Sequence, residues 1–436
     1  MLKTLSNAWK VPELRKKMLY TVLIIFLFRL GAAVPVPFLS ITGGLVDESN
    51  GSFMNYLLMM TGEAFNYGTI FALGITPYIN SSIIMQLLTV AIPALEKLSK
   101  DEDGRKKMAQ ITRYVTVGLA LLQSTAYYVY VRHSGYLTTA ADGTAYTGFS
   151  AVWQAIVVIT ILTAGSTMVM WLGEQINEKG IGNGISLILF AGIVSRIPTL
   201  ATQLYQTMNQ GGAFFALVPL YVIMLLATVV FIVWDDGAER RIPVQYAKRV
   251  VGRKMYGGQN THIPIKVNMS GVMPIIFAGS ILSLPSTIEM FVNPQDGSFW
   301  DKFFKLFTTE SWWYVPIYFA LLIAFAYFYA SIQYNPVEMA NNLAKNGGSI
   351  IGIRAGKPTA NYLAKVINKI VLLGALLLSV VALTPILYTQ ITTAFGKGVN
   401  VMVGGTSIII LVGVALETVE QLKSQLMMRH YSRFLD

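Results

Sequence analysis

Cysteine is missing from all 436 residues. No disulfide framework, thiolate metal site or thiol nucleophile is therefore available. Histidine is nearly as scarce. His133, His262 and His430 lie far apart and none sits in an HExxH or HxxxH spacing, which argues against metal catalysis. Charge is sparse too: Asp, Glu, Lys and Arg make up 13% of the chain, about half the ~25% of a soluble domain. Apolar residues make up 54%, and mean hydropathy is +0.55. A soluble fold would need more polar residues to cover its surface. An ordinary soluble enzyme, a disordered chain and a coiled coil are excluded, and a polytopic membrane protein remains.

A helix needs about 20 apolar residues to cross the hydrocarbon core. Ten segments qualify, near 18–37, 69–93, 112–131, 151–172, 183–204, 214–234, 270–292, 313–334, 368–392 and 404–423. They are continuous apolar runs, not the ten-residue alternations of a transmembrane barrel. The first is too long for a signal peptide, and Val34-Pro-Val-Pro37 is not a small-residue cleavage site. Net charge is +11, and of the 33 Lys and Arg residues 27 fall on one side of the ten spans or at their ends on that side. That asymmetry predicts that both termini are cytoplasmic. One apolar stretch, Ser52-Phe-Met-Asn-Tyr-Leu-Leu-Met-Met60, is too short to span. It reads equally as an interfacial helix or as a re-entrant piece among the spans.

Spans five apart share short patterns. Gly74-Ile-Thr-Pro77-Tyr-Ile79 in the second matches Gly271-Val-Met-Pro274-Ile-Ile276 in the seventh. Gly184-Ile-Ser186-Leu-Ile-Leu189 in the fifth matches Gly405-Thr-Ser407-Ile-Ile-Ile410 in the tenth. Two matches at one offset predict two five-span halves, 1–204 and 205–436, the second inverted relative to the first. The expected fold is an all-α polytopic membrane protein of ten transmembrane helices in two inverted pseudo-symmetric halves. The matches also pair one bulky aliphatic per span, Ile79 with Ile276 and Leu189 with Ile410. Spacing alone favours ordinary core or lipid-facing aliphatics. If the halves enclose a pathway, these four meet near its middle.

Ionisable residues inside spans mark ion or substrate paths. Arg29 lies in the first span, Glu289 near the outer end of the seventh, and Glu417 and Glu420 at the inner end of the last. No acidic residue is predicted at the centre of a span, which argues against a proton-driven pump. Two basic loops, 235–268 and 336–367, are long and mix β-branched and aromatic residues with turn residues, so ordered hairpins are expected. Their charge suits an anionic lipid, RNA or acidic protein. Positive-inside topology explains much of the charge but not the loop length.

Several stretches together resemble the SecY family of bacterial protein-conducting channels. They are Phe71-Ala-Leu-Gly-Ile-Thr-Pro-Tyr-Ile79 with Gln86-Leu-Leu88, Trp171-Leu-Gly-Glu-Gln175 with Lys179-Gly-Ile-Gly-Asn-Gly-Ile-Ser186, Arg240-Arg-Ile-Pro-Val-Gln-Tyr-Ala-Lys-Arg249, and Gly404-Gly-Thr-Ser407. The resemblance implies a SecY-type channel in the bacterial plasma membrane, with a constriction formed by Ile75, Ile79, Ile185, Leu189, Ile276 and Ile410. An aliphatic ring offers no charge to ions and gates by dewetting. The plug implied after the first span falls on 52–64, with Phe53, Met54, Leu57, Leu58 and Met59 as its apolar residues. Here Thr61-Gly-Glu-Ala-Phe65 departs from the family's usual Gly-Gly-Ala-Leu run.

The family's lateral gate, between the second–third and seventh–eighth spans, releases membrane helices into lipid. Ser82, Gln86 and Asn268 lie near that seam and are expected to bond across it, at ~1 kcal/mol each. The implied partners are the small membrane subunits SecE and SecG, the SecA motor, the ribosome, and signal sequences with their precursor or nascent chains. Docking of the motor and ribosome is expected on Arg240, Arg241, Lys248, Arg249, Arg253, Arg354 and Lys357, with Arg354 foremost. No cofactor or catalytic residue is implied. The alternative from another class is an inverted-repeat secondary transporter of a small solute. An intramembrane protease would need a Ser/His or paired-Asp constellation within the spans, and none is present in the sequence.

Overall fold

A computed structural model describes residues 2–41, 45, 61, 64–137, 148–246, 249–251, 254–256, 260–269, 271–292, 298–308, 311–394 and 405–432. A helix occupies each of the ten predicted segments. In chain order the helices are α1 (Leu2–Trp9), α2 (Pro12–Gly31), α3 (Thr76–Ala91), α4 (Pro93–Lys100), α5 (Glu102–His133), α6 (Phe149–Lys179), α7 (Gly184–Ser195) and α8 (Ile197–Asn209). They continue with α9 (Phe214–Asp236), α10 (Met273–Val292), α11 (Phe299–Lys305), α12 (Tyr314–Gln333), α13 (Pro336–Lys345), α14 (Lys357–Ala394) and α15 (Gly405–Ser432). Among the described residues, five helices are individually long and apolar enough to cross a membrane, with α7 and α8 counted as one and α12 and α13 as another. The α3–α4 pair makes a sixth if its 110° bend lies within one span.

Proline sets several helix starts. Pro12, Pro77, Pro93, Pro198 and Pro336 all fall in a first turn, where a missing N–H costs nothing. Pro93 also explains the α3–α4 bend. The residue before proline is pushed out of the helical region, and Ile92 is extended, with φ −112° and ψ 110°.

The second span differs from its predicted bounds. Residues 69–75 form turns and the helix begins only at Thr76. Gly74 takes φ +53° just before it, and Gly271 takes φ +59° just before α10. Each is followed three residues later by a proline at the second helical position, Pro77 and Pro274. The other matched glycines, Gly184 and Gly405, are the first residues of α7 and α15. The sequence repeat therefore marks equivalent helix starts.

The packing repeats as well. Within the first five spans, α2 meets α6 and α7, α3 meets α5, α5 meets α6, and α6 meets α7. Within the second five, α9 meets α14 and α15, α10 meets α12, α12 meets α14, and α14 meets α15. Shifted by five spans, the two sets are the same. Contacts of α7 with α15 and of α5 with α10 join them.

The long loops form two small sheets. Strand β1 (Glu239–Tyr246) pairs antiparallel with β4 (Asn260–Lys266) in one, and β2 (Arg249–Val251) with β3 (Lys254–Tyr256) in the other. The second loop is not the separate hairpin expected. It supplies α13 and one strand, β5 (Gly348–Ile350), which adds to the free side of β1. Ile242 and Val244 point from β1 into a core with Ile265, Leu343, Ile350 and Leu363. Strand alternation leaves Arg241, Pro243 and Gln245 outward.

Close helix contact depends on Gly184. A Cβ there would overlap the carbonyl oxygen of Gly173 on α6, whereas one at Gly118 on α5 meets nothing. Gly184→Ala should separate α6 from α7 and lower stability by about 1–3 kcal/mol. Thermal unfolding in detergent checks this; a midpoint matching that of Gly118→Ala would refute it.

Candidate functional site

The residues of the predicted constriction lie just before or within the first two turns of four helices. Ile75 ends the turn before α3, and Ile79 follows one helical turn later on the same face. Ile185 and Leu189 have the same spacing at the start of α7. Ile276 lies in the first turn of α10 and Ile410 in the second of α15. Ile75, Ile79, Leu189, Ile276 and Ile410 belong to one buried apolar cluster, and the half-buried Ile185 packs against it.

Local hydrogen bonds hold the α6–α7 turn that aims two of these residues. Asn183 Oδ1 accepts from the N–H groups of Ile185 and Ser186 at 3.1 and 3.5 Å. Asn177 Oδ1 accepts from Gly184 N–H at 2.7 Å, and Thr21 Oγ1 on α2 accepts from Ile181 N–H at 3.0 Å. These satisfy donors a helix start would otherwise leave open. The Lys179–Ser186 motif is thus a built turn. Ser166 Oγ similarly donates to the carbonyl of Gly74 at 3.2 Å and fixes the turn before α3.

The predicted plug residues Phe53, Met54, Leu57, Leu58 and Met59 lie outside the described residues. Thr61 and Ala64 from the same segment are buried. A Cβ on Gly74 would lie 3.1 Å from Thr61 Cγ2, so Thr61 sits against the turn that carries Ile75. Thr76 and Ser407 beside the cluster are buried, and their hydroxyl oxygens have no hydrogen-bond partner among the described residues.

The expected polar bonds across the seam take another form. Gln86 Nε2 donates to Ser82 Oγ at 3.3 Å within α3. Asn268 lies just before α10, and its buried Oδ1 has no partner among the described residues. No bond among these three joins α3 to α10. Spacing favours this outcome, because residues four apart share one helix face.

Of the predicted docking residues, Arg240 and Arg241 are exposed on β1, Arg354 is exposed beyond β5, and Lys357 is exposed at the start of α14. Arg241 pairs with Glu239 at 2.6 Å. Thr359 Oγ1 donates to the carbonyl of Arg354 at 2.8 Å and braces its backbone. Arg249 lies on β2, while Lys248 and Arg253 fall outside the described residues. Pairing of β5 with β1 brings both loops into one structure, which their separate compositions did not reveal. Lys266 on β4 pairs with Glu420 on α15 at 2.7 Å. Burial pushes the lysine pKa down, but the Glu420 bond and the charge of Asp236 outweigh it and leave the value raised. Asp235, buried at the end of α9, escaped the sequence reading because it falls just beyond the apolar run.

Comparison with known proteins agrees on one family. The SecY family model matches residues 69–419. The protein translocase subunit SecY of Corynebacterium glutamicum is 43% identical over 451 residues, with both chains fully covered. A solved structure described as a protein-conducting channel aligns with TM-score 0.62 at 17% identity, covering 96% of each chain. Sec61 in a canine ribosome–channel complex from the endoplasmic reticulum aligns with TM-score 0.58 at 16% identity, again covering 96% of each.

A polar group in the cluster should be costly. Ile410→Asn is expected to destabilise by roughly 1–3 kcal/mol through an unsatisfied amide, and Ile410→Val by about 0.5–1.5 kcal/mol. Unfolding midpoints of the two variants test this; a smaller loss for Asn than for Val would mean that the site is wet.

Proposed function

The chain belongs to the SecY family, and from that membership we propose that it is the pore-forming subunit of a protein translocase. It conducts unfolded secretory precursors across the bacterial plasma membrane and releases membrane helices sideways into lipid. The observation that supports this reading is that Ile75, Ile79, Leu189, Ile276 and Ile410 all belong to one buried apolar cluster, with Ile185 packed against it. Such a constriction can close around an extended chain without offering charge to ions. The small-solute transporter is not favoured, because the full-length relative is named as a translocase subunit.

In this reading residues 1–204 and 205–436 are the two halves, the second inverted, and both termini are cytoplasmic. The equivalent helix starts and the repeated packing support the division. The segment 52–64 is the plug. The seam between α3–α5 and α10–α12 is the lateral gate, bordered by Ser82, Gln86 and Asn268. The sheet and the loop after it are the docking surface, where Arg240, Arg241, Lys248, Arg249, Arg253, Arg354 and Lys357 meet the SecA motor or ribosomal RNA phosphates. Contacts with phosphates would weaken as salt rises. SecE and SecG are the small membrane partners. ATP hydrolysis or chain elongation by a partner supplies the drive, so the subunit itself has no catalytic role and uses no cofactor.

The absence of cysteine allows a direct test. Ile276→Cys, reconstituted with the partner subunits, should form a disulfide with a single-cysteine precursor only when motor and ATP are present. A cross-link at a lipid-facing control but not here would remove the constriction assignment. Arg354→Glu should abolish motor-driven export with an unchanged unfolding midpoint, since an exposed charge contributes little to stability. Normal export by that variant would overturn the docking assignment.

A further inference from the structure

The connection between α10 and α12 carries a compact aromatic surface. On α11, Phe299, Phe303 and Trp300 fall within about 100° of arc, and they are 75%, 37% and 55% exposed. The two lysines, Lys302 and Lys305, occupy the adjoining arc and are also exposed. The remaining side faces protein: Phe304 is buried, and buried Asp301 holds Lys305 at 2.8 Å. The helix thus has an aromatic side, a basic side and an inward side.

Its position is fixed at its C-terminal end. Phe303 stacks edge-on with Phe307 at 5.3 Å, and Phe307 packs on the main apolar cluster. The backbone carbonyl of Ser311 accepts from Gln390 Nε2 on α14 at 3.0 Å. Trp312 and Trp313 follow at the start of α12, 59% and 65% exposed, and Ile288 near the end of α10 is 52% exposed. Exposed apolar side chains therefore also mark the ends of the two spanning helices that α11 connects. The aromatic surface lies at the end of α10 remote from the β-sheet, about 30 Å away along a 20-residue helix.

We propose that the Phe299–Lys305 helix is an interfacial anchor whose partner is the lipid of the leaflet remote from the β-sheet. Aromatic rings at the end of a span favour the headgroup level. A helix with an apolar face lies in the interface plane, buried about 5–10 Å into the headgroup and acyl boundary. Lys302 points to anionic headgroups from the flank. The anchor fixes the depth of the ends of α10 and α12, whatever the channel conducts.

The test uses the full chain in vesicles of phosphatidylethanolamine and phosphatidylglycerol. Trp300→Cys and, separately, Phe299→Cys carry a polarity-sensitive fluorophore, and Ser349→Cys on β5 serves as the water-facing control. Labels at 300 and 299 should be quenched severalfold more than the control by a shallow nitroxide lipid. Iodide present on both sides should quench them severalfold less. Equal iodide quenching at 300, 299 and 349 would place the helix in water. Protection from both quenchers would mean that protein covers it. Either result overturns the proposal. Adding Lys302→Glu should increase iodide quenching at 300 in these vesicles but not in phosphatidylcholine; no change in either would remove the headgroup role of Lys302.

Discussion

Every backbone N–H and C=O that enters hydrocarbon must find its partner inside the protein. This constraint keeps helices unbroken through the core; α14, at 38 residues, exceeds the roughly 20 that a crossing needs. It also governs where helices are allowed to stop. Residues 64–75 are irregular yet largely buried, and their polar groups are spoken for. Thr69 N–H and Oγ1 both reach the carbonyl of Ala64, Ile70 N–H reaches Val34, and Gly74 N–H reaches Phe71. Nonhelical backbone survives there because α5 and α6 cover it: Tyr127 Oη bonds the carbonyl of Phe65 at 2.9 Å, and Ser166 bonds that of Gly74.

The late start of α3 has a use. It places Ile75 at a helix beginning, as Gly184 and Gly405 do for their neighbours. Four helices thus bring their first two turns to one apolar cluster. Side chains in a first turn stand beside backbone that is still turning, so short loops set their direction. The hydrogen bonds of Asn177, Asn183 and Thr21 perform that role for α7. At α7 the direction of the apolar side chains is thus set by polar groups in the turn before it.

Long apolar runs were legible because each reports burial in lipid or core at every position. The repeat was legible because Gly and Pro carry backbone requirements that composition does not disguise: Gly74 and Gly271 hold positive φ, and Pro77 and Pro274 suit a helix start. The partnership of β5 with β1 was hidden, since three residues, Gly348–Ile350, show no alternation long enough to read. Polar partners at the seam were also hidden. Ser82 and Gln86 satisfy each other at the i, i+4 spacing before any neighbouring helix is considered. The aromatic side of α11 was visible as letters, but its meaning depended on Phe304 and Asp301 turning inward.

The shared sheet has a mechanical consequence. Strand β1 continues from α9, β4 leads into α10, and β5 lies between α13 and α14. The Lys266–Glu420 pair ties the same sheet to α15. A push delivered at this platform is shared among four spans at once. The platform couples those spans to one another, and α7 and α5 meet them through α15 and α10.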